Sequence, residues 1–495
     1  MTDVCLLLEG TYPYVAGGVS TWVYELIKRM RDTTFSVVYL GPHRSAVKKM
    51  HYDIPENVTD FREYYIFDYR AERRWGIPGK KRLEGFRIIK EFLEHMRKGD
   101  PSGFEKLLGV LKGDNTSLVS LDDLVYSFNS WKVLEGLYSS EPEEVSFIDY
   151  FWTWRFIYLP FFSLMGIDLP EARLYHSVST GYAGVLGVMA KCRRMRPFLL
   201  TEHGIYTRER KIEISRADWI YSDTAKELKV TAGEDFFKDW WISLFSFFSR
   251  LAYSKADEII TLFEGNRLVQ IAEGADPAKT RVIPNGVDFA RFSGLKKDKK
   301  DNVFRIGFMG RVVPIKDVKS FIKACRIISD ELKNVEVYIM GPTDEDEDYY
   351  TECARLVEME SLEGVVRFTG KVKVFDYYSK IDVIVLTSVS EGQPMVILEA
   401  FASGIPCVAT NVGSCQELIH GSSPDDRLLG PAGIITSIRN PEETAAAVTR
   451  ILKDNELYRH MSEAGRRRAV SYYQMDDLIS RYDILYSRYT EEVTW

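Results

Sequence analysis

Val383-Ile-Val-Leu-Thr-Ser-Val-Ser-Glu-Gly-Gln-Pro-Met-Val-Ile-Leu-Glu399 decides the fold. Its first four residues are a continuous apolar run, the pattern of a parallel strand buried on both faces. Glu391 follows the strand directly. Pro394 suits the first turn of a helix running from Met395 to about Ala402. The strand Pro406-Cys-Val-Ala409 comes next. Upstream, Phe304-Arg-Ile-Gly-Phe-Met309 is a strand and Lys316 to Leu332 carries a helical pattern. Val335-Glu-Val-Tyr-Ile-Met340 is another strand, with an acidic turn and a helix to about Glu360, then the short extended Val365-Val-Arg-Phe368. Strands alternating with helices predict a doubly wound parallel sheet.

The first half opens the same way. Val4 to Leu8 reads as a strand, Gly17-Gly18 as a loop, Val19 to Met30 as a helix and Phe35 to Leu40 as a second strand. Residues from about 60 to 150 fit the alternation poorly and read as a mainly helical insertion. Strands return at Phe198-Leu-Leu-Thr201 and Glu258-Ile-Ile-Thr261. The polar run Lys296 to Asn302 reads as an exposed linker. A chain of 495 residues exceeds one compact core, so two Rossmann-like α/β domains facing across a cleft are expected. The expected limits are 1–288, 289–472, and a C-terminal helix in 473–495 packing back on the first domain.

Composition excludes several classes. A net charge of -7 argues against a nucleic-acid partner, whose phosphates demand a basic surface. The six cysteines stand singly, without a C-x-x-C pair, as reduced buried thiols do in a cytosolic protein, and make a zinc site improbable. The N-terminus carries Asp3 and no basic segment, so it reads as a strand and not a signal peptide. No apolar stretch spans a bilayer. The aromatic-rich segments Phe151 to Leu164 and Trp240 to Tyr253 are interrupted by Arg155 and Arg250. They read as buried helices, with an acceptor-binding wall or membrane-surface patch as the alternative.

In open α/β sheets ligands bind at the carboxyl ends of strands. Arg311 and Lys316 sit between a strand and a helix, where two cations suit a diphosphate. The Gly392-Gln393-Pro394-Met395 segment opens a helix, and its backbone N–H groups, at every residue but Pro394, suit an anion. Glu391 and Glu399 are placed to accept paired hydrogen bonds from vicinal hydroxyls. Gly17-Gly18 allows close approach of a phosphate or an acceptor. Thr201-Glu-His-Gly204 ends a strand, which points Glu202 and His203 toward the cleft. Pro284-Asn-Gly-Val-Asp288 reads as a structural turn. The acidic run Asp344 to Asp348 contains a D-x-D pattern that elsewhere holds a metal. Here it opens a helix, where acids favour the dipole, so no metal is expected.

G-R-x4-K from Gly310 to Lys316 and E-x7-E from Glu391 to Glu399 resemble the retaining GT-B glycosyltransferases of family 4. The Gly17-Gly18 loop, Glu202-His203-Gly204 and Pro284 to Asp288 are similar to that family too. The resemblance implies a catalytic set of Arg311, Lys316, Glu391 and His203. Arg311 and Lys316 would hold the donor diphosphate, Glu399 the ribose and Glu391 the donor sugar. His203 would contact the reacting face, and the base would lie near Arg367, Val372 and Lys373. It also implies a UDP-sugar donor, no cofactor or metal and retention of configuration. The expected acceptor is a growing exopolysaccharide. The expected setting is the cytoplasm, with partners among inner-membrane synthesis and export proteins. A UDP-sugar 2-epimerase and a non-catalytic nucleotide-sugar-binding subunit remain as alternatives.

Overall fold

The computed structural model describes residues 1–46, 49–68, 80–111, 118–216, 232–295 and 302–491. The expected linker lies almost wholly outside them. The chain forms two compact units. One comprises Met1–Thr261, Arg267–Arg281 and Asp483–Trp495; the other comprises Leu262–Asn266 and Val282–Tyr482.

The first unit is built on strands β1 (Thr2–Glu9), β2 (Phe35–Gly41), β3 (Val58–Tyr65), β4 (Ala172–Ser177), β5 (Phe198–Glu202), β6 (Glu258–Thr261) and β7 (Thr280–Val282). Their order across the sheet is β3-β2-β1-β4-β5-β6-β7. The registers from β3 to β6 are parallel. Val4 to Leu8 are fully buried, as strands covered by helices on both faces must be. The stretch expected to be helical from about residue 60 instead opens with β3. That strand reads Val-Thr-Asp-Phe-Arg-Glu-Tyr-Tyr, with Thr59 exposed and the rest half-buried, because it is the sheet edge. Helices then follow at Lys80–Arg97, Phe104–Val110, Leu121–Tyr126, Phe128–Tyr138 and Phe147–Leu164. They share one apolar core with the helix Ala232–Lys255, in which Phe92, Phe161, Phe247 and Phe248 interlock. The helix Phe147–Leu164 buries Trp154, Ile157 and Phe161 but exposes Ile148, Trp152 and Phe156, so only one of its faces is core.

The last residues of the chain belong to this unit. Tyr486 donates or accepts a hydrogen bond with His176 Nδ1 at 2.7 Å, and Thr201 Oγ1 meets His176 Nε2 at 2.8 Å. Glu258, at the start of β6, pairs with Arg281 and with Arg488.

The second unit carries β8 (Phe304–Met309), β9 (Val335–Met340), β10 (Val366–Gly370), β11 (Val383–Leu386), β12 (Cys407–Thr410) and β13 (Gly433–Thr436). The order is β10-β9-β8-β11-β12-β13, all parallel. Counted from its own start, each sheet has strand order 3-2-1-4-5-6, extended by a seventh strand in the first, the doubly wound arrangement whose strand order reverses between strands 1 and 4. Two apolar clusters cover the second sheet. One includes Ile306, Phe321, Ile322 and Val448; the other Ile384, Leu398, Phe401 and Leu418. The six cysteines are free, with Cys192 half-buried and the rest buried. Among the described residues no helix is long and apolar enough to cross a membrane.

Candidate functional site

The reversal point of the second sheet lies between β8 and β11. Loops leaving the carboxyl ends of these two strands therefore diverge and leave a crevice. The loop after β8 contains Arg311 and Lys316; the loop after β11 contains Ser388 and Glu391. Lys316 Nζ donates to Glu391 Oε1 at 2.5 Å, and Ser388 Oγ donates to the same oxygen at 2.6 Å. Both partners are largely buried, at 21% and 11% side-chain exposure, so the pair is little screened by solvent.

Backbone geometry holds this contact. Lys316 ends a single turn, Pro314–Lys316, and Asp317 follows at φ 47°, capping the helix Val318–Glu331 by accepting from Ser320 N. The positive helix end is thus met by Asp317 and the nearby lysine by Glu391. Thr387 Oγ1 donates to the carbonyls of Lys316 and Asp317, tying the two loops together. Gly413 has φ +52°, and a Cβ there would come within 2.3 Å of the Glu391 carbonyl, so glycine is obligatory.

Pro394 is the cap of the helix Met395–Ser403, one position before the first helical turn expected for it. Glu399, on that helix, accepts from Tyr378 Oη at 3.0 Å. Burial raises its carboxyl to about 7, against the pull of Tyr378 and the charge of Arg291. Gln393 Oε1 accepts from Asn285 N at 2.6 Å, so this side chain braces the Pro284 to Asp288 turn. Gly286 packs there against Gln474 and Met475 with no room for a Cβ. Arg311 stands apart from the Lys316–Glu391 pair. It is half exposed and bonds to Glu345, an acid of the 344–348 run. Asp346 of that run caps the helix Glu347–Met359. Arg367 lies exposed on the edge strand β10, and Val372 packs against the second apolar cluster of this unit.

In the first unit, His203 follows β5. Its ring meets Trp22 edge-on at 4.8 Å, and burial lowers its pKa to about 4, so it is neutral at physiological pH. Glu202 borders a cavity at the strand ends of this unit, but protein donors take up its carboxylate. It is 1% exposed and accepts from Tyr253 Oη at 2.7 Å, Gln270 Nε2 at 2.9 Å and Tyr206 N at 2.9 Å. Burial raises its carboxyl to about 7. Glu202 thus anchors the loop that presents His203. Gly17 and Gly18 open the helix Gly18–Arg29; both are exposed, and a Cβ on either would meet nothing within 4 Å. No local packing requires glycine there.

Residues 2–278, more than half of the chain, match the family described as domain of unknown function DUF3492. The chain belongs to that family. In this DUF3492 chain residues 303–454 also match glycosyl transferases group 1, a stretch that contains Arg311, Lys316, Glu391 and Glu399. A D-inositol 3-phosphate glycosyltransferase of Geodermatophilus obscurus is 28% identical over 251 residues, 46% of this chain and 53% of the relative. The UDP-Gal:alpha-D-GlcNAc-diphosphoundecaprenol alpha-1,3-galactosyltransferase of Escherichia coli is 26% identical over 224 residues, 43% of this chain and 54% of the relative. The chain thus spans about half the length of these curated relatives. Among solved structures, Anabaena Alr3699/HepE in complex with UDP superposes with a TM-score of 0.59 at 14% identity, covering 98% of this chain and 99% of that one. The sucrose-phosphate synthase of Thermosynechococcus elongatus gives 0.58 at 15% identity, with 98% of each chain covered. These likenesses establish the fold of the DUF3492 chain as GT-B, with two Rossmann-like parallel-sheet domains.

Several residues of the DUF3492 site escaped the sequence reading. Tyr378, the partner of Glu399, sits in a four-residue helix with no motif around it. Ser388 was within the quoted stretch but shows its role only once Glu391 turns toward it. Strand β4 was missed, and with it Ser179 and Tyr182 at its carboxyl end.

Proposed function

We propose that this protein is a retaining glycosyltransferase that moves a hexose from a UDP-sugar to a growing exopolysaccharide. The observation that carries this reading is the placement of Lys316, Glu391 and Glu399 around the reversal point of the second sheet, inside the stretch matching glycosyl transferases group 1. A diphosphate there meets the Lys316 ammonium and the N–H groups that open the helix Met395–Ser403. Glu391 and Glu399 accept from the hydroxyls of the sugar and ribose. Arg311 swings from Glu345 to the diphosphate. As the sugar leaves, negative charge develops on the phosphate, and these donors stabilise it. The leaving phosphate itself takes the proton of the attacking hydroxyl from the same face, so no protein nucleophile is required. His203 is assigned to the reacting face of the sugar on the family resemblance. Neighbours solved with UDP and UDP-glucose support UDP as the carrier.

Glucose and N-acetylhexosamines are the donors to test. The opening stretch Leu8 to Trp22 resembles PelF, the pellicle exopolysaccharide glycosyltransferase, and supports work at the cytoplasmic face with inner-membrane synthesis and export proteins. Each UDP-sugar is incubated with and without oligosaccharide acceptors, and the products are followed by NMR. Acceptor-dependent UDP release with an α-linked product supports the proposal. Donor alone yielding a C2 epimer identifies an epimerase. UDP-sugar binding without turnover under any acceptor identifies a binding subunit.

A further inference from the structure

The first unit has its own reversal point, between β1 and β4. A cavity of about 580 Å³ opens there, at the carboxyl ends of β1, β2, β4 and β5. Five side-chain atoms on its walls are buried and make no hydrogen bond among the described residues. They are Thr11 Oγ1, Ser179 Oγ, Tyr182 Oη, His203 Nε2 and Arg210 Nε. A buried polar group that nothing meets loses its hydration without compensation, which is why such groups are rare in folded proteins. These five come from three separate segments of the chain yet converge on one cavity, as groups awaiting a common ligand do.

The rest of the wall states what that ligand is. Trp241 and Phe245, from the helix Ala232–Lys255, present stacked rings 6.0 Å apart at 27°. Tyr206 meets Phe245 edge-on at 5.6 Å and donates its hydroxyl to Glu9 Oε1 at 2.8 Å. The one guanidinium, Arg210, already bonds to Glu213. The same walls carry Glu9, Glu202 and Glu209 and, among the described residues, no second Arg or Lys, so an anionic ligand is disfavoured. Flat apolar faces beside scattered hydroxyl, imidazole and carboxyl groups match a ring with apolar C–H faces and equatorial hydroxyls. The volume lies within the roughly 300–1,000 Å³ usual for small-ligand sites.

We infer that this cavity is a binding site for a neutral saccharide, with Trp241 and Phe245 as its platform and Ser179, Tyr182 and Arg210 as its hydrogen-bonding groups. That this saccharide is the acceptor rests on the sugar-transfer reading; that the cavity takes a saccharide does not.

The test is saturation-transfer NMR on the full chain with chitotriose, cellotriose and maltotriose, with UDP titrated calorimetrically into the same samples. At least one trisaccharide is expected to receive saturation on its ring protons. Trp241→Ala is expected to abolish the signal. Tyr182→Phe, which changes one hydroxyl and preserves the ring's packing, is expected to weaken binding about tenfold. Both variants should bind UDP as the parent does. The inference is overturned if no trisaccharide receives saturation, if Tyr182→Phe binds as tightly as the parent, or if inorganic phosphate displaces the saccharide. UDP binding without any saccharide signal sinks this inference alone. A saccharide signal without UDP binding sinks the sugar-transfer reading alone.

Discussion

In the proposed sugar transfer, Lys316 and Glu399 each make a distinct expectation. Lys316 is the only partner that gives Glu391 a compensating charge among the contacts described, and it is the cation nearest that carboxylate. Lys316→Ala is expected to lower turnover at saturating donor by about 10²–10³, the usual loss when one leaving-group stabiliser is removed. Full turnover in that variant would remove Lys316 from the mechanism. Glu399 gives a pH signature. Burial lifts its carboxyl from 4.5 to about 7. A ligand that donates two hydroxyls prefers the ionised form, so UDP affinity should rise as pH passes upward through about 7 and then level. Glu399→Gln should bind UDP more weakly with a flat profile; a parent profile already flat from pH 5 to 9 would contradict the assignment. The same shift bears on stability. The folded chain keeps a proton that the unfolded chain releases above about 4.5. The contribution is therefore full below 4.5 and lost as pH rises through about 7, on the order of 1–3 kcal/mol.

Among the elements, the helix Asn455–Tyr472 is fastened by a single buried cation. Arg468 has no exposed surface, and neither has Asp426. The guanidinium donates to Asp426 Oδ1 at 2.5 Å and to the carbonyls of Ile419, Asp426 and Gly430 at 2.9 to 3.0 Å. All three of its nitrogens donate to the segment between β12 and β13. Replacing one partner strands the other charge away from water. Arg468→Met is therefore expected to cost about 3–5 kcal/mol by denaturant unfolding, and Arg468→Met with Asp426→Asn appreciably less. Equal losses in the single and double variants would show that the pair is not coupled. The sequence carries no sign of this contact, since Arg468 stands in an Arg-Arg-Arg run that reads as solvated surface. The strands were legible to different degrees for a similar reason. β8, β9 and β11 announce themselves as apolar runs bounded by turns. β3 reads as mixed polar residues because one of its edges has no neighbouring strand, and β4 is interrupted by Arg173 and His176. His176 is buried all the same, and its burial is tolerated because Thr201 and Tyr486 satisfy both ring nitrogens.

At the scale of the whole molecule, the proposed function has the donor diphosphate met by Lys316 and Arg311 and not by a metal. The acidic run is already engaged, with Glu345 on Arg311 and Asp346 capping a helix. Sugar transfer is accordingly expected to survive excess EDTA; loss of activity restored by magnesium or manganese would reverse this. The sequence by itself determined the class of fold, because buried parallel strands and amphipathic helices leave periodic patterns that need no long-range information. It also determined which loops of the second half bear cations and carboxylates, because those loops follow readable strands. Only the tertiary structure decided that Lys316 and not Arg311 meets Glu391, that Glu202 is an anchor, and that Tyr378 stands on Glu399. It alone gathered Ser179, Tyr182, Arg210, Trp241 and Phe245 around one cavity. Such meetings join residues far apart in the chain. They are set by strand order and side-chain direction, which no local pattern of residues encodes.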